Sequence, residues 1–164
     1  MVAHDASMAN WKTFVEEAPE MAAAVVARLT AHKHHVMATL RADGSPRVSG
    51  TEVVITDDEL YLGSMWRARK ALDLLRDPRV AVHSNPGDES MDGGDARLDA
   101  RATEVHDGDP AKESVRTTVQ PPEPFHLFRL DLVDVVLIEV DHDAEALITH
   151  LWRPGAGVTT TVVT

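Results

Sequence analysis

His35-Val36-Met37-Ala38-Thr39-Leu40-Arg41-Ala42-Asp43-Gly44-Ser45-Pro46-Arg47-Val48-Ser49-Gly50-Thr51-Glu52-Val53-Val54-Ile55-Thr56-Asp57-Asp58-Glu59-Leu60-Tyr61-Leu62-Gly63-Ser64 carries the reading of the fold. Residues 35–41 contain β-branched and apolar residues, and 47–56 look extended through Val48, Val53, Val54 and Ile55. Between them Ala42-Asp43-Gly44-Ser45-Pro46 supplies turn chemistry, so the two runs form a hairpin. Asp57-Asp58 makes a second turn before residues 59–64, which predicts three consecutive strands in an antiparallel meander.

Upstream, Trp11, Phe14 and Val15, then Met21, Val25, Val26 and Leu29, recur at helical spacing, with Pro19 at a boundary between two short helices. Downstream, Ala71, Leu72, Leu74 and Leu75 predict a helix over 68–76, stopped by Asp77-Pro78 because a residue before proline avoids helical geometry. Strands are expected at 80–83, at 96–105 where Leu98, Ala100 and Ala102 alternate with charged residues, at 125–140, and last at 146–151. Residues 85–95 read as a loop, 109–119 as a helix, and Pro121-Pro122-Glu123-Pro124 as a break. The order strand, strand, strand, helix, strand differs from the alternation of a doubly wound sheet, and no Gly-rich nucleotide loop is present. The expected class is mainly β (α+β): a split β-barrel of about six or seven mostly antiparallel strands with peripheral helices, in one domain over 1–164.

A net charge of −11, from 27 acidic and 16 basic residues, argues against a general nucleic-acid or membrane-surface binder. With no cysteine there is no disulfide, thiolate nucleophile or cysteine metal site. Residues 1–10 lack a secretory signal's basic start and apolar run, and no apolar stretch nears the roughly 18 residues of a membrane helix, so a cytoplasmic location is expected. Against this acidic background, Arg67, Arg69 and Lys70 gather at a predicted helix start, where unpaired N–H groups and the helix dipole favour an anion. A phosphorylated cofactor is the ligand such a site suits. Arg76 and Arg79 lie near that helix's C-terminus, where a cation complements the dipole, and are read as structural.

Ala38-Thr39-Leu40-Arg41-Ala42-Asp43-Gly44-Ser45-Pro46, the Leu60-Tyr61-Leu62 strand, and Arg69-Lys70 followed by Leu74 and Asp77-Pro78-Arg79-Val80-Ala81-Val82 resemble the pyridoxamine 5′-phosphate oxidase-like superfamily, the flavin or deazaflavin split-barrel oxidoreductases. The resemblance covers residues 35–84 best. It implies that Arg69 and Lys70 hold the cofactor phosphate, with Gly63 and Ser64 adding backbone and hydroxyl contacts and Ser49, Gly50 and Thr51 lying against the ring. Many relatives carry Gly-Ser before the Arg-Lys pair where this chain has Arg67-Ala68, so a hydroxyl contact is missing and Arg67 either replaces it with a charge-assisted one or sits in solvent. The resemblance further implies a homodimer with the cofactor at its interface, a late segment of one subunit covering the cofactor of the other; Trp152 and Arg153 are the candidates for that cover. Trp152-Arg153-Pro154-Gly155-Ala156-Gly157 stands in place of the Arg-Leu-x-x-Arg-type substrate element of true pyridoxamine-phosphate oxidases, which weighs against vitamin B6 oxidation.

The expected activity is hydride transfer between noncovalently bound FMN and a small organic substrate, with no side chain assigned as catalytic acid or base. Alternatives are a coenzyme F420-dependent reductase, a non-catalytic flavin-binding or storage protein, and a cofactor-free interaction protein on the same barrel. F420 carries a polyanionic tail, and the scarcity of basic residues outside 67–79 tilts the sequence reading toward FMN. His32, His34 and His35 are not assigned a metal, since neighbours on a strand face opposite ways. His126 reads as a core-boundary histidine, and the acidic segment 88–95 as a solvated loop without an EF-hand register. Serine, histidine and aspartate are present without a Gly-x-Ser-x-Gly elbow, so a hydrolytic triad is unsupported.

Overall fold

The structure, a computed structural model, describes residues 7–86 and 91–164. In chain order the elements are α1 (Trp11–Glu17), α2 (Pro19–Ala31), β1 (His35–Leu40), β2 (Pro46–Thr51), β3 (Val53–Ile55), β4 (Leu60–Met65), α3 (Arg69–Arg76), β5 (Arg79–His83), β6 (Asp95–Val105), α4 (Pro110–Thr118), β7 (Phe125–Asp141), β8 (Ala146–Arg153) and β9 (Gly157–Val163). Local chemistry sets the boundaries. The Asn10 side chain accepts from the Thr13 N–H at 3.0 Å and Asp109 from the Ala111 N–H at 2.9 Å, each capping a helix, while Pro19 and Pro110 open helices where the missing N–H costs nothing. In the β1–β2 turn Asp43 accepts from the Ser45 N–H at 2.9 Å, and Gly44 takes φ +82°, which a residue with a Cβ adopts only under strain.

All strand pairings are antiparallel, in the order β2-β1-β5-β6-β7-β4-β3, with β8 added to β7 and β9 to β8. The two ends of that order are one stretch of chain. Residues 46–55 break at Glu52, so that β2 bonds β1 while β3 bonds β4, and the sheet closes into a barrel. After β4 the chain crosses by α3, and β5 pairs with β1 rather than with β4. The antiparallel β-barrel with peripheral helices is thus the expected α+β architecture. Among the described residues there are nine strands, because one expected strand divides at Glu52 and because β9 lies beyond 151, where the sequence reading places none.

β7 keeps β6 along one side and changes partner on the other, with residues 125–129 on β4 and 135–141 on β8. Its second half therefore leaves the barrel and carries the β8–β9 hairpin. The main core joins α1 and α2 to the inner faces of β4, β5, β6 and β7 through Phe14, Val25, Leu62, Val82, Leu98 and Leu130. A smaller cluster of Tyr61, Val105, Val115, Phe125 and Leu127 lies under α4. Trp152 is fully buried at 0% exposure, with its ring 4.8 Å from that of Phe14 and its Nε1–H donated to Glu17 Oε2 at 3.0 Å. This corrects the expectation that it covers a partner's cofactor: an indole enclosed in the core has no face to offer a ligand. No helix among the described residues is long and apolar enough to cross a membrane.

Candidate functional site

Where the barrel closes, β2, β3, β4 and the first turn of α3 enclose a cavity of about 300 Å³ with α4 and the segment following it. One wall is small and polar, made by Gly50, Thr51, Gly63, Ser64, Ala68 and Lys70. The facing wall is apolar, made by Val115, Val119, Pro121, Pro122 and Phe125. Gly50 and Gly63 have ordinary backbone angles, yet an added Cβ at either would meet no atom within 4 Å. Glycine weakens a strand, so its use at two such places leaves room that a side chain would fill. The Thr51 and Ser64 hydroxyls make only long contacts of 3.4 Å to neighbouring carbonyls, which leaves both able to bond a ligand.

Lys70 is the cation of this polar wall. Its half-buried ammonium donates to Gly50 O at 2.6 Å, and burial lowers its pKa against the raising influence of Glu52. No carboxylate forms an ion pair with it among the described residues. A desolvated ammonium with spare donors, at the start of a helix that has no side-chain cap, is suited to a phosphate oxygen. Glu52 is the cavity's carboxylate, 3.5 Å from both Lys33 Nζ and His34 Nδ1 at the rim. Glu52, His34 and the α4 wall were outside the sequence expectation; the Val115/Val119 stripe at i, i+4 is the signal that marks the wall.

The other predicted residues separate. Arg69, exposed, follows the helix rotation away from Lys70 and lines a different groove with Arg41, Arg47 and Arg76. Ser49 is half-buried on β2 between Arg47 and Thr51 and lines neither recess. Arg67 is exposed at φ +57°, a left-handed conformation in which glycine is free of strain, and its N–H donates to His126 Nε2 at 3.2 Å. The glycine of relatives at this place has a conformational reason, and Arg67 occupies the turn without entering the cavity. His126 is buried, stacks on Trp66 with centroids 4.5 Å apart, and presents Nδ1 to Glu104 at 2.6 Å. Accepting at Nε2 places its proton on Nδ1, so this ring pins the turn that leads into α3.

His34 and His35 do face opposite ways, His35 buried and His34 exposed, and no group of three potential ligands among the described residues could hold a metal. Arg76 donates to Leu40 O and Asp73, and Arg79 to Asp77, which are structural contacts. Of the acidic loop, 88–90 lie outside the described residues.

A family model of pyridoxamine 5′-phosphate oxidase matches residues 21–138, and the chain belongs to that family. Among solved structures, PhzG from Burkholderia lata in complex with tetrahydrophenazine-1-carboxylic acid is similar at 16% identity and TM-score 0.63, over 88% of each chain. A pyridoxamine 5′-phosphate oxidase-related, FMN binding protein from Nostoc punctiforme is similar at 13% identity and TM-score 0.61, over 90% of this chain and 96% of that one. The heme storage protein HutZ from Vibrio cholerae is similar at 21% identity and TM-score 0.54, over 71% of this chain and 89% of that one. These likenesses are of fold. A comparison with curated proteins found no match.

Proposed function

We propose that this chain is a flavin-type oxidoreductase that binds the phosphate of its cofactor at Lys70 and seats the ring in the cavity between β2, β4 and α4. The observation that carries the reading is the half-buried Lys70 ammonium, without a carboxylate partner within bonding reach among the described residues, beside two strand glycines that face open space. FMN is the simplest such cofactor, and the FMN binding described for the Nostoc relative supports it. When bound, the ring supplies hydride chemistry of its own. The chain's part is to fix the phosphate through Lys70 and the unpaired N–H groups of the first turn of α3, to keep room for a flat ring at Gly50 and Gly63, and to exclude water with Val115, Val119 and Phe125. Thr51 and Ser64 offer hydroxyls to polar ring atoms, and Glu52 with His34 lies where a small organic substrate would enter.

A homodimer fits the same reading. Val36 and Val48 lie on the outer face of the β1–β2 hairpin, and Val48, Met65 and Trp66 are 71%, 72% and 53% exposed. Apolar surface of this kind beside a cavity rim suits a second copy that completes the site. The decisive measurement is the visible spectrum and released-ligand mass of purified protein, repeated after separate additions of FMN and coenzyme F420. Saturable binding of either is the expected result, with Lys70→Ala weakening it; failure of both to bind overturns the cofactor reading.

A further inference from the structure

β8 and β9 continue the sheet beyond the barrel, and β9 is its last strand, bonded to β8 along all 7 residues and to no other strand among the described residues. Every second N–H and C=O of β9 therefore points away from β8 with no strand to receive it. Proteins blunt such edges with charge, proline, a bulge or shortness, because a bare edge is a template for another extended chain. The other strands with one partner follow that rule: β2 carries Pro46 and Arg47, and β3 is 3 residues long. β9, Gly157-Val158-Thr159-Thr160-Thr161-Val162-Val163, has no charge, no proline and no shift in its register with β8. It is also held in place. Trp152 anchors β8 in the core, Glu17 accepts the Gly155 N–H of the turn at 3.2 Å, and His150 Nδ1 lies 2.9 Å from the Thr160 hydroxyl across the hairpin. An edge already fixed as a strand loses little freedom when it pairs.

Two observations select its occupant. Val158-Thr159-Thr160-Thr161-Val162 reads the same in both directions. Laid antiparallel on a second copy about a two-fold axis at Thr160, it sets Val158 against the partner's Val162, Thr159 against the partner's Thr161, and Thr160 against the partner's Thr160. Like meets like, and cross-strand Thr–Thr and β-branched pairs are favourable ones. Charge selects the same occupant. Residues 146–164 hold no carboxylate in a chain with 27 acidic residues and a net charge of −11, so two copies meet there without opposed carboxylates. Val158 and Val162, 42% and 57% exposed, stand on one face of the strand, where pairing places each beside its counterpart.

We propose that β9 is a self-pairing edge, through which two copies of this chain join antiparallel so that the sheet runs from one subunit into the other. The contact is isologous, so it occupies both edges and closes at two copies. It uses none of Val36, Val48, Met65 and Trp66 at the cavity rim, and it stands whether or not a cofactor binds.

Thr159 and Thr161 are exposed and face each other across the pair, which makes them the test positions. Sedimentation equilibrium of the ligand-free full chain is compared with two double variants, Thr159→Lys with Thr161→Lys, and Thr159→Glu with Thr161→Glu. Each gathers four like charges at the contact, so its dissociation constant should rise at least about tenfold and the assembly should fall to half its mass or less. Mixed in equal amounts, the two variants should pair again, lysine against glutamate, and regain the mass of the unaltered assembly. A monomeric unaltered chain, an unchanged mass in both variants, or a mixture that does not reassociate overturns the proposal. Hydrogen exchange of the unaltered protein tests it without substitution. The β9 amides that face away from β8 should be protected in the assembly, and fast exchange at every second residue of 158–162 overturns the pairing.

Discussion

The two sides of the barrel solve opposite problems. Under α1 and α2, Phe14 packs edge-on against Trp11 and at a tilt against Trp152, all three at 0–2% exposure, and the buried Trp152 N–H has its acceptor in Glu17. Along β2, β4 and α3 the structure shows two strand glycines facing open space, a half-buried ammonium without an ion-pair partner among the described residues, an arginine groove and large apolar side chains in solvent. The first side is complete within one chain. On the proposed reading the second is left for a phosphorylated ligand and a second copy to complete, although the buried Asp73 with Arg47 and Arg76 stabilises that side too.

Substitution should break this division in a graded way. Trp152→Ala removes a buried indole from three packed rings and should cost about 3–5 kcal/mol, read by chemical denaturation, while cofactor affinity in the folded fraction stays within about twofold. A large loss of affinity at full stability would place Trp152 at the site after all. Asp73→Asn should cost roughly 3 kcal/mol at neutral pH, because Arg47 and Arg76 lose the buried carboxylate they share.

The same carboxylate sets an acid limit. Burial works to raise the pKa of Asp73, but hydrogen bonds from Arg47, Thr39 and Arg76 outweigh it and hold the pKa below the usual 3.8. Asp77 is held to about 2, chiefly by its hydrogen bond from Arg79. A carboxylate with a lowered folded-state pKa stabilises fully above its unfolded value, and that contribution is lost as pH falls through the folded one. The contribution of these two carboxylates should thus be level above about pH 5 and decline from 3.8 toward 2, with a shallower decline in Asp73→Asn. An unchanged acid slope in that variant would remove Asp73 from the account.

Two smaller effects belong to the open side. Lys70→Ala should weaken cofactor binding by about 1.5–3 kcal/mol, roughly 10- to 100-fold, and leave the melting temperature of the ligand-free protein unchanged or slightly raised. Destabilisation without a change in affinity would make Lys70 a structural strut on Gly50. Arg67→Gly should raise stability by up to about 1 kcal/mol, since it relieves the left-handed backbone strain while leaving the N–H bond to His126 in place; a loss would mean that the arginine side chain holds the turn.

Much of the fold was legible because its signals are local. Pro19 between two helices, the Asp43-Gly44-Ser45 turn and the Asp77-Pro78 stop act over a few residues, and each stands where its chemistry predicts. The β2–β3 break was not legible, for Glu52 interrupts a continuous β-branched run without glycine or proline. β9 was missed as well, a Val- and Thr-rich strand whose pairing with β8 depends on the hairpin geometry. At the site, Gly50, Thr51, Gly63, Ser64 and Lys70 do converge on the cavity, whereas Ser49, Arg67, Arg69 and Trp152 do not line it. Ser49, Arg67 and Arg69 adjoin lining residues in sequence but not in space, because one step along a strand reverses the face and one step along a helix turns a side chain by about 100°, whereas Trp152, nominated by the resemblance, is turned into the core.

By itself the sequence determined the elements, the antiparallel class and a cationic helix start in an acidic chain, because turn chemistry, periodicity and charge are read over short distances. Tertiary structure alone decided that Lys70 faces the cavity while Arg69 joins Arg41, Arg47 and Arg76, and that Trp152 closes the core. Which side chains share a wall depends on strand order and on the single break at Glu52, and no local pattern contains that information.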